Sequence, residues 1–397
     1  MSKTEIPSIR FRGFDDAWEQ RKFDEAFIER QNKTEKENED ILLSCAINGM
    51  FLNSELFGHF RGTTTIGYLR VKKNDLILSA QNLHLGNANV NLRFEHGIIS
   101  PAYKVYDLNN CNPEFVQSWV KRDDTKNFFL AATTEGASQC RKNIEWETLG
   151  KQTISMPSLD EQKRVGSFFS QLDHLITLHQ RKFEKLTNVK KSMLEKMFPR
   201  NGSCYPEIRF NEFTDPWEQR KFSELYEKIS KKNDLTYGKN DIISVANMYF
   251  KPDAYITDDS YLLTYNIFEL GDIAFEGNKS KNFAHGRFVE NTIGNGIVSH
   301  VFDVFKPIMS PYDLLFWKYA INNEGLMGQI LLRSTKASTM MTNLVANDFL
   351  QEKFFVPSYP EQQKIGAFLD QLDHLITLHQ RELEKLQSIK KALLEKM

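Results

Sequence analysis

Polar stretches in each half of this 397-residue chain carry side chains that could contact nucleic acid. The longer stretches, residues 79–93 and 277–288, contain no acidic residue, and shorter ones follow at residues 138–142 and 333–343. Asn and Gln pair with base edges, and Arg and Lys bind phosphates. A plain solvated loop is the alternative for any one stretch. The predicted DNA-contacting residues are Gln81, Asn82, His84, Asn87, Asn89, Asn91, Arg93, Ser138, Gln139, Arg141, Lys142, Asn278, Lys279, Lys281, Asn282, His285, Arg287, Arg333, Lys336, Ser338, Thr339 and Asn343.

Motifs that would build a catalytic or cofactor site are missing from the sequence. It contains no glycine-rich phosphate loop, no H-E-x-x-H, no paired C-x-x-C and no G-x-S-x-G. It also lacks an N/D-P-P-aromatic motif for adenine methylation and a recognisable carboxylate–lysine cluster of a nuclease. We therefore predict no catalytic residue and no cofactor on this chain.

Four histidines, spaced by five in each copy of a repeat, raise the question of a metal site. They are His174, His179, His374 and His379. Only one histidine of each copy falls on the apolar face of the helix predicted there, so we favour a structural or pairing role and predict no metal site.

An eleven-residue phrase, QLDHLITLHQR, occurs twice, at residues 171–181 and 371–381. The flanking sequence aligns without a gap at an offset of 200, and a lead-in at residues 9–23 recurs at 208–222. The middle segments hardly resemble each other. This plan predicts two different recognition surfaces held in one repeated frame.

The repeated stretches have the period of long helices. Ser158 with Glu161, and Ser358 with Glu361, give the S-x-x-E spacing of a capping box. The apolar positions then step by four and three, as in a coiled coil. An ordinary core helix is the alternative for one copy alone, but two copies in one register favour pairing of two rods of about 55 Å. The predicted helix-pairing seam is Val165, Phe169, Leu172, Ile176, His179, Phe183 and Leu186 with Ile365, Leu369, Leu372, Ile376, His379, Leu383 and Leu386.

The middle segments have the pattern of short strands punctuated by Gly, Asn and Pro. Residues 68–79 predict a strand, a turn at 73–75 and a second strand, and residues 98–106 predict a further strand. Residues 265–275 repeat the first pattern, with a turn at Gly271 and Asp272. We therefore predict an α+β pseudo-two-fold tandem repeat, in which two globular α/β domains of one fold are joined by two long helices.

Composition limits the function classes. The net charge of −1 excludes a uniformly basic nucleic-acid coat but permits a local basic face. The four cysteines show neither metal-ligand nor disulfide spacing. Because we find no signal peptide and no apolar run of membrane-spanning length, we predict a cytoplasmic chain without membrane contact.

Three features together resemble the specificity (S) subunit of type I restriction–modification systems. They are the P-S-x-x-E-Q starts of the helices at Pro157 and Pro357, the W-E-x-(+)-(+)-F lead-ins at Trp18 and Trp217, and the tandem plan with divergent middles. The resemblance covers nearly the whole chain. It implies target recognition domains at residues 1–156 and 208–356, long helices at 157–198 and 357–397 that pack antiparallel as a coiled coil, and a linker at 199–207.

The resemblance also implies a function and partners. The chain would read a bipartite, asymmetric sequence in double-stranded DNA and recruit two adenine methylase (M) subunits and two restriction (R) subunits. S-adenosylmethionine would then lie on the methylase partner, and ATP and Mg on the restriction partner. Base-contacting residues do not transfer from the family. Two alternatives stay open: a coiled-coil scaffold that binds protein without reading DNA, and a standalone DNA-modifying enzyme, which the missing motifs disfavour.

Overall fold

The structure, a computed structural model, describes residues 7–58, 64–138, 141–200, 202–254, 256, 258–337 and 341–397. The chain forms two compact units. Unit 1 comprises Met1–Arg181 and Gln380–Met397, and unit 2 comprises Lys182–His379. Each unit therefore contains one middle segment and a part of each long helix. Within the described ranges, no helix combines the length and apolar character needed to cross a membrane.

Short strands and helices build the first half. In chain order they are β1 (Glu19–Lys22), α1 (Phe23–Ala26), β2 (Phe27–Arg30), β3 (Leu43–Ala46), β4 (Gly49–Leu52), α2 (Asn53–Leu56), β5 (Leu69–Lys72), β6 (Leu76–Ser79), a 3₁₀ turn at Leu83–Leu85, β7 (Ala88–Val90), β8 (His96–Ile99), β9 (Tyr103–Leu108), α3 (Pro113–Trp119), α4 (Asp123–Ala131), β10 (Thr133–Ser138), β11 (Arg141–Ile144), α5 (Trp146–Lys151), β12 (Thr153–Met156) and the long helix α6 (Leu159–Lys196).

The second half repeats this order with small changes. Its elements are β13 (Glu218–Lys221), α7 (Phe222–Leu225), β14 (Tyr226–Ile229), a 3₁₀ turn at Lys239–Asp241, β15 (Ile243–Ser244), β16 (Tyr249–Phe250), a 3₁₀ segment at Asp259–Thr264, β17 (Asn266–Phe268), β18 (Ile273–Glu276), β19 (Arg287–Glu290), β20 (Gly296–Val298), β21 (Asp303–Pro307), α8 (Leu314–Ile321), α9 (Glu324–Ser334), β22 (Thr335–Ala337), β23 (Thr342–Leu344), α10 (Ala346–Gln351), β24 (Lys353–Val356) and the long helix α11 (Tyr359–Lys396).

A four-stranded antiparallel sheet lies at the centre of each middle segment. Its strand order is β2-β9-β6-β7 in unit 1 and β14-β21-β18-β19 in unit 2. The strands correspond one to one along the chain. The two middles therefore share one fold, and the predicted α+β tandem repeat is confirmed.

The pairing of individual strands differs from the simplest interpretation of the sequence. Residues 98–106 form two strands, because the chain turns at Ser100–Ala102, where the amide of Tyr103 donates to the Ser100 carbonyl at 3.1 Å. The predicted single strand there is wrong. The turn at Asn74 is present, with a left-handed φ of 71°, but β5 and β6 pair with other strands and not with each other.

An arginine fixes the start of each long helix. The guanidinium of Arg10 donates to both carboxylate oxygens of Glu161 at 2.7 Å, and Arg209 does the same to Glu361 at 2.8 Å. Each glutamate side chain is only 1% exposed. The serine half of the predicted capping box is present at the first helix, where the Ser158 hydroxyl accepts the Glu161 amide at 3.4 Å, and both glutamates serve the lead-in arginine. The bond ties the lead-in to the helix in both copies.

Each unit packs the start of one long helix against the end of the other. In unit 1, Leu172 of α6 is buried in the same apolar cluster as Leu394 of α11. In unit 2, Leu372 of α11 is buried in the same cluster as Met197, which follows α6. An ion pair of 2.5 Å joins the helices in each unit, Lys390 with Asp173 and Lys190 with Asp373. The helices thus run antiparallel as a coiled coil.

The other residues of the predicted seam differ in burial. The buried ones are Val165, Phe169, Ile365 and Leu369. The half-buried ones are Ile176, His179, Phe183, Leu186, Ile376, His379, Leu383 and Leu386.

Candidate nucleic-acid interface

In unit 1 the loop between β6 and β7 has one residue within electrostatic range of the β10–β11 hairpin. His84, in the loop, and Lys142, in the hairpin, are close enough to interact electrostatically: burial first, and then the charge of Lys142, lower the pKa of His84. Gln81 is exposed, and Asn82 and Lys142 are half-buried. The fold thus brings two separately predicted polar stretches to one place.

Unit 2 repeats this arrangement with hydrogen bonds. The amide of Thr342, in the β22–β23 hairpin, donates to the Gly277 carbonyl at 2.8 Å, and its hydroxyl donates to the His285 carbonyl at 3.0 Å. Lys336 lies opposite Asn343 across the hairpin, and both are exposed. The predicted loop residues that are exposed beside it are Asn278, Lys279, Lys281 and Asn282.

Gly286 and Thr342 hold this corner together, and neither is among the residues predicted from the sequence. Gly286 has a φ of +77°, and a Cβ there would meet the Glu276 carbonyl oxygen at 2.6 Å. A side chain there would strain that backbone and collide with the carbonyl oxygen, so the position favours glycine. A glycine inside the acid-free stretch at residues 277–288 was the one available signal.

Three asparagines that were predicted to read bases are buried and bond to backbone carbonyls inside the domain, so those predictions are corrected. Asn89 and Asn91 are fully buried and Asn87 nearly so. The side-chain amide of Asn89 donates to the Ala46 carbonyl at 2.6 Å, and that of Asn91 donates to the Phe94 carbonyl at 2.8 Å. Asn87 donates to the Cys45 carbonyl at 3.3 Å. Because these amides satisfy buried backbone groups, they are not available to bases.

Three predicted arginines are each held by a carboxylate. Arg93 donates to both oxygens of Glu55, at 2.8 and 2.6 Å. Arg287 donates to Glu276 and Arg333 to Glu352, at 2.7 and 2.8 Å. A phosphate contact from any of them would require the glutamate to be displaced, so Lys281 and Lys336 are the better phosphate candidates.

The remaining predicted residues are not all within the described part of the chain. Gln139, Ser338 and Thr339 lie outside the described residues. Ser138 and Arg141 stand opposite each other in the β10–β11 register, and the structure describes their backbone alone. His285 is half-buried, with its carbonyl bound by Thr342.

Comparison with known proteins gives the family. The model of the type I restriction modification DNA specificity domain matches residues 3–188 and again residues 214–388. The type I restriction enzyme MjaVIII specificity subunit of Methanocaldococcus jannaschii is 22% identical over 362 residues, covering 82% of this chain and 78% of that protein. The crystal structure of the type I restriction-modification system S subunit from M. genitalium shares the fold, with a TM-score of 0.59, 14% identity, and coverage of 99% of this chain and 98% of that one. With the specificity domain present twice, the chain belongs to the family of type I restriction–modification specificity subunits.

Proposed function

We propose that this chain reads a bipartite, asymmetric sequence in double-stranded DNA, one half-site through each middle segment, with target recognition domains at residues 1–156 and 208–356. One observation carries the proposal: the two units share strand order and helix frame, but the polar side chains of their loop–hairpin corners differ. Asn and Gln would read base edges, while lysines such as Lys281 and Lys336 would bind phosphates. Unlike corners would read unlike half-sites.

Chemistry on the DNA would belong to other chains. The chain would recruit two adenine methylase subunits, which carry S-adenosylmethionine, and two restriction subunits, which use ATP and Mg. Methylation of an adenine requires the base to leave the stack, and the methylase would provide the pocket for it. On this chain we propose DNA recognition and subunit recruitment in the cytoplasm, with no catalytic step of its own.

A domain exchange tests the proposal. The amide of Phe23 donates to the Gln152 carbonyl at 2.9 Å, directly after β1 and before β12, so the first middle enters and leaves the frame at adjacent points. We would replace residues 23–152 by the corresponding segment of another family member, purify the chain with its methylase, and map methylated adenines. One half-site should change and the other should persist. A change in both half-sites would contradict modular recognition.

The reciprocal exchange is the matched control. Phe222 and Glu352 form the equivalent bond at 2.9 Å, so residues 222–352 can be replaced in the same way, and the other half-site should then change. A protein-binding scaffold predicts no sequence-dependent DNA retention with the methylase present. A standalone enzyme predicts that the purified chain alone methylates DNA when given S-adenosylmethionine.

A further inference from the structure

Unit 2 packs a tyrosine from α8 onto its long helices. The hydroxyl of Tyr319 donates to Asp373 at 2.7 Å, and a longer contact of 3.4 Å reaches Asp370. The ammonium groups of Lys190 and Lys318 lie 5.2 and 5.0 Å from the ring centroid, within the range of a cation–π contact. These two carboxylates and two lysines together form a site for one phenol ring, which we call the seat.

The corresponding place in unit 1 can be identified from backbone contacts. The amide of Phe115 in α3 bonds the Asn112 side chain at 2.9 Å, and the amide of Phe316 in α8 bonds the Asp313 side chain at 2.8 Å. A Cβ built on the helix glycine would meet the phenylalanine amide at 2.6 Å in both units, at Gly166 and Gly366. Three residues after these phenylalanines stand Ser118 and Tyr319.

Unit 1 keeps one carboxylate and one lysine of the seat but lacks the ring, and Ser170 and Gln117 stand where unit 2 has Asp370 and Lys318. The offset of 200 puts Asp173 in the place of Asp373 and Lys390 in the place of Lys190, and the two are paired at 2.5 Å. Ser118 is buried and donates to the Glu114 carbonyl of its own helix at 2.9 Å, so it does not reach the seat. The Asp173 side chain is accordingly 47% exposed, against 32% for Asp373.

A cleft of about 760 Å³ opens in unit 1 where the ring would lie. Ser118, Ser170 and Asp173 line it, together with the apolar side chains of Ile176 and Leu394. Lys121 also lines the cleft.

Lys121 brings a cation into the wall of the cleft. Its ammonium donates to the Ile47 and Ala88 carbonyls at 2.7 and 2.8 Å. Burial lowers the pKa of Lys121 to about 8, so the side chain is still mostly charged at neutral pH. The cleft thus offers the Asp173 carboxylate as an acceptor, Lys121 and Lys390 among several basic side chains, and apolar walls.

We propose that this cleft binds the side chain of a tyrosine presented by a partner protein, with Asp173 accepting its hydroxyl hydrogen and Lys390 lying against its ring. Unit 2 shows the same chemistry satisfied within the chain by Tyr319. A protein partner fits better than a free phenol, because the cleft is several times larger than one ring and leaves room for the neighbouring residues of a peptide.

Methyl NMR on the full-length chain tests the proposal, with Ile176 as the reporter. N-acetyl-tyrosinamide should shift the Ile176 methyl signal and saturate, whereas N-acetyl-phenylalaninamide should bind about tenfold more weakly, since it lacks the hydroxyl that bonds a carboxylate. A blocked pentapeptide with a central tyrosine should bind more tightly than p-cresol. Equal affinity of the pentapeptide and p-cresol would overturn the assignment to a protein partner.

Two variants in unit 1 and one in unit 2 sharpen the test. Ser118→Tyr fills the seat from within and should abolish the shift of Ile176. Asp173→Ala, at a half-exposed position, should remove the preference for the tyrosine amide even if Ser118→Tyr fails to fold. Tyr319→Ser opens the seat in unit 2 and should be stabilised by p-cresol in thermal melts. No shift of Ile176, or an equal response to both amides in the wild type, would overturn the proposal.

Discussion

At the scale of single residues, the two units solve the same turn differently. Asp75 and Asp272 both precede a central strand and are both 1% exposed. Both carboxylates accept the amide three residues back, from Lys72 at 2.7 Å and from Glu269 at 2.8 Å, but Asp75 also forms an ion pair with Arg30. Burial raises the pKa of Asp272 to about 7, so unit 2 carries a buried group that titrates near neutrality.

The pH dependence of stability follows from Asp272. Its pKa rises from 3.8 to about 7 on folding, so the folded state binds the proton more tightly. The resulting stability is fully present below about pH 4 and is lost as the pH rises through about 7, by about 1.4 kcal/mol per unit and about 4 kcal/mol at most. Asp272→Asn should flatten this dependence in urea unfolding. Asp253→Asn, at an exposed site, should leave it unchanged, and an unchanged slope in Asp272→Asn would contradict the assignment.

The pair of Arg10 and Glu161 gives a second prediction at this scale. Removing the arginine leaves a buried carboxylate without its partner, which costs about 3–5 kcal/mol. We expect Arg10→Ala to lower the free energy of unfolding by that amount. The double variant Arg10→Ala with Glu161→Gln should recover part of the loss, because the buried charge is gone. Equal stability of the two variants would show that the charge is not what matters.

At the scale of elements, the long helices could be predicted from the sequence, because they depend on the local spacing of apolar residues and on the repeat. Helix α6 was predicted at residues 157–198 and extends over Leu159–Lys196, since caps and apolar spacing are local signals. The partner of β5 could not be predicted, because the choice between β6 and β8 depends on contacts distant in sequence. For the same reason, nothing in the amino-acid sequence distinguished the buried side chains of Asn89 and Asn91 from exposed amides.

The helix seam can be tested against a matched site on the same helix. Leu172 is 7% exposed in the unit 1 core, whereas Leu175 is 42% exposed. Leu172→Asp buries an unpaired charge and should cost several kcal/mol, while Leu175→Asp should cost little. Thermal unfolding of both variants measures the difference. Under the proposed function, Leu172→Asp should also reduce methylation at both half-sites together, and a loss at one half-site alone would argue against a shared frame.

At the scale of the whole molecule, a net charge of −1 coexists with DNA binding only if basic residues act locally. Among the exposed lysines of the unit 2 corner, Lys281 and Lys336 are the candidates that we test. Replacing either by Ala in the complex with methylase should reduce the slope of log K against log salt by about 1. Lys151, paired with Glu147 on α5, is the control and should leave the slope unchanged. An unaltered slope for both corner lysines would place the phosphate contacts elsewhere.

The two identical eleven-residue phrases have a genetic consequence. Recombination between them would delete residues 182–381 and join residue 181 to residue 382, leaving the two segments that make unit 1 on a single continuous helix. The start and the end of that helix cannot fold back onto each other, so each must pair with a second copy. We expect the shortened gene product to be a homodimer in sedimentation, and a monomer would contradict this. Under the proposed function, its identical halves would read a palindrome, and one gene would encode readers of either kind of target.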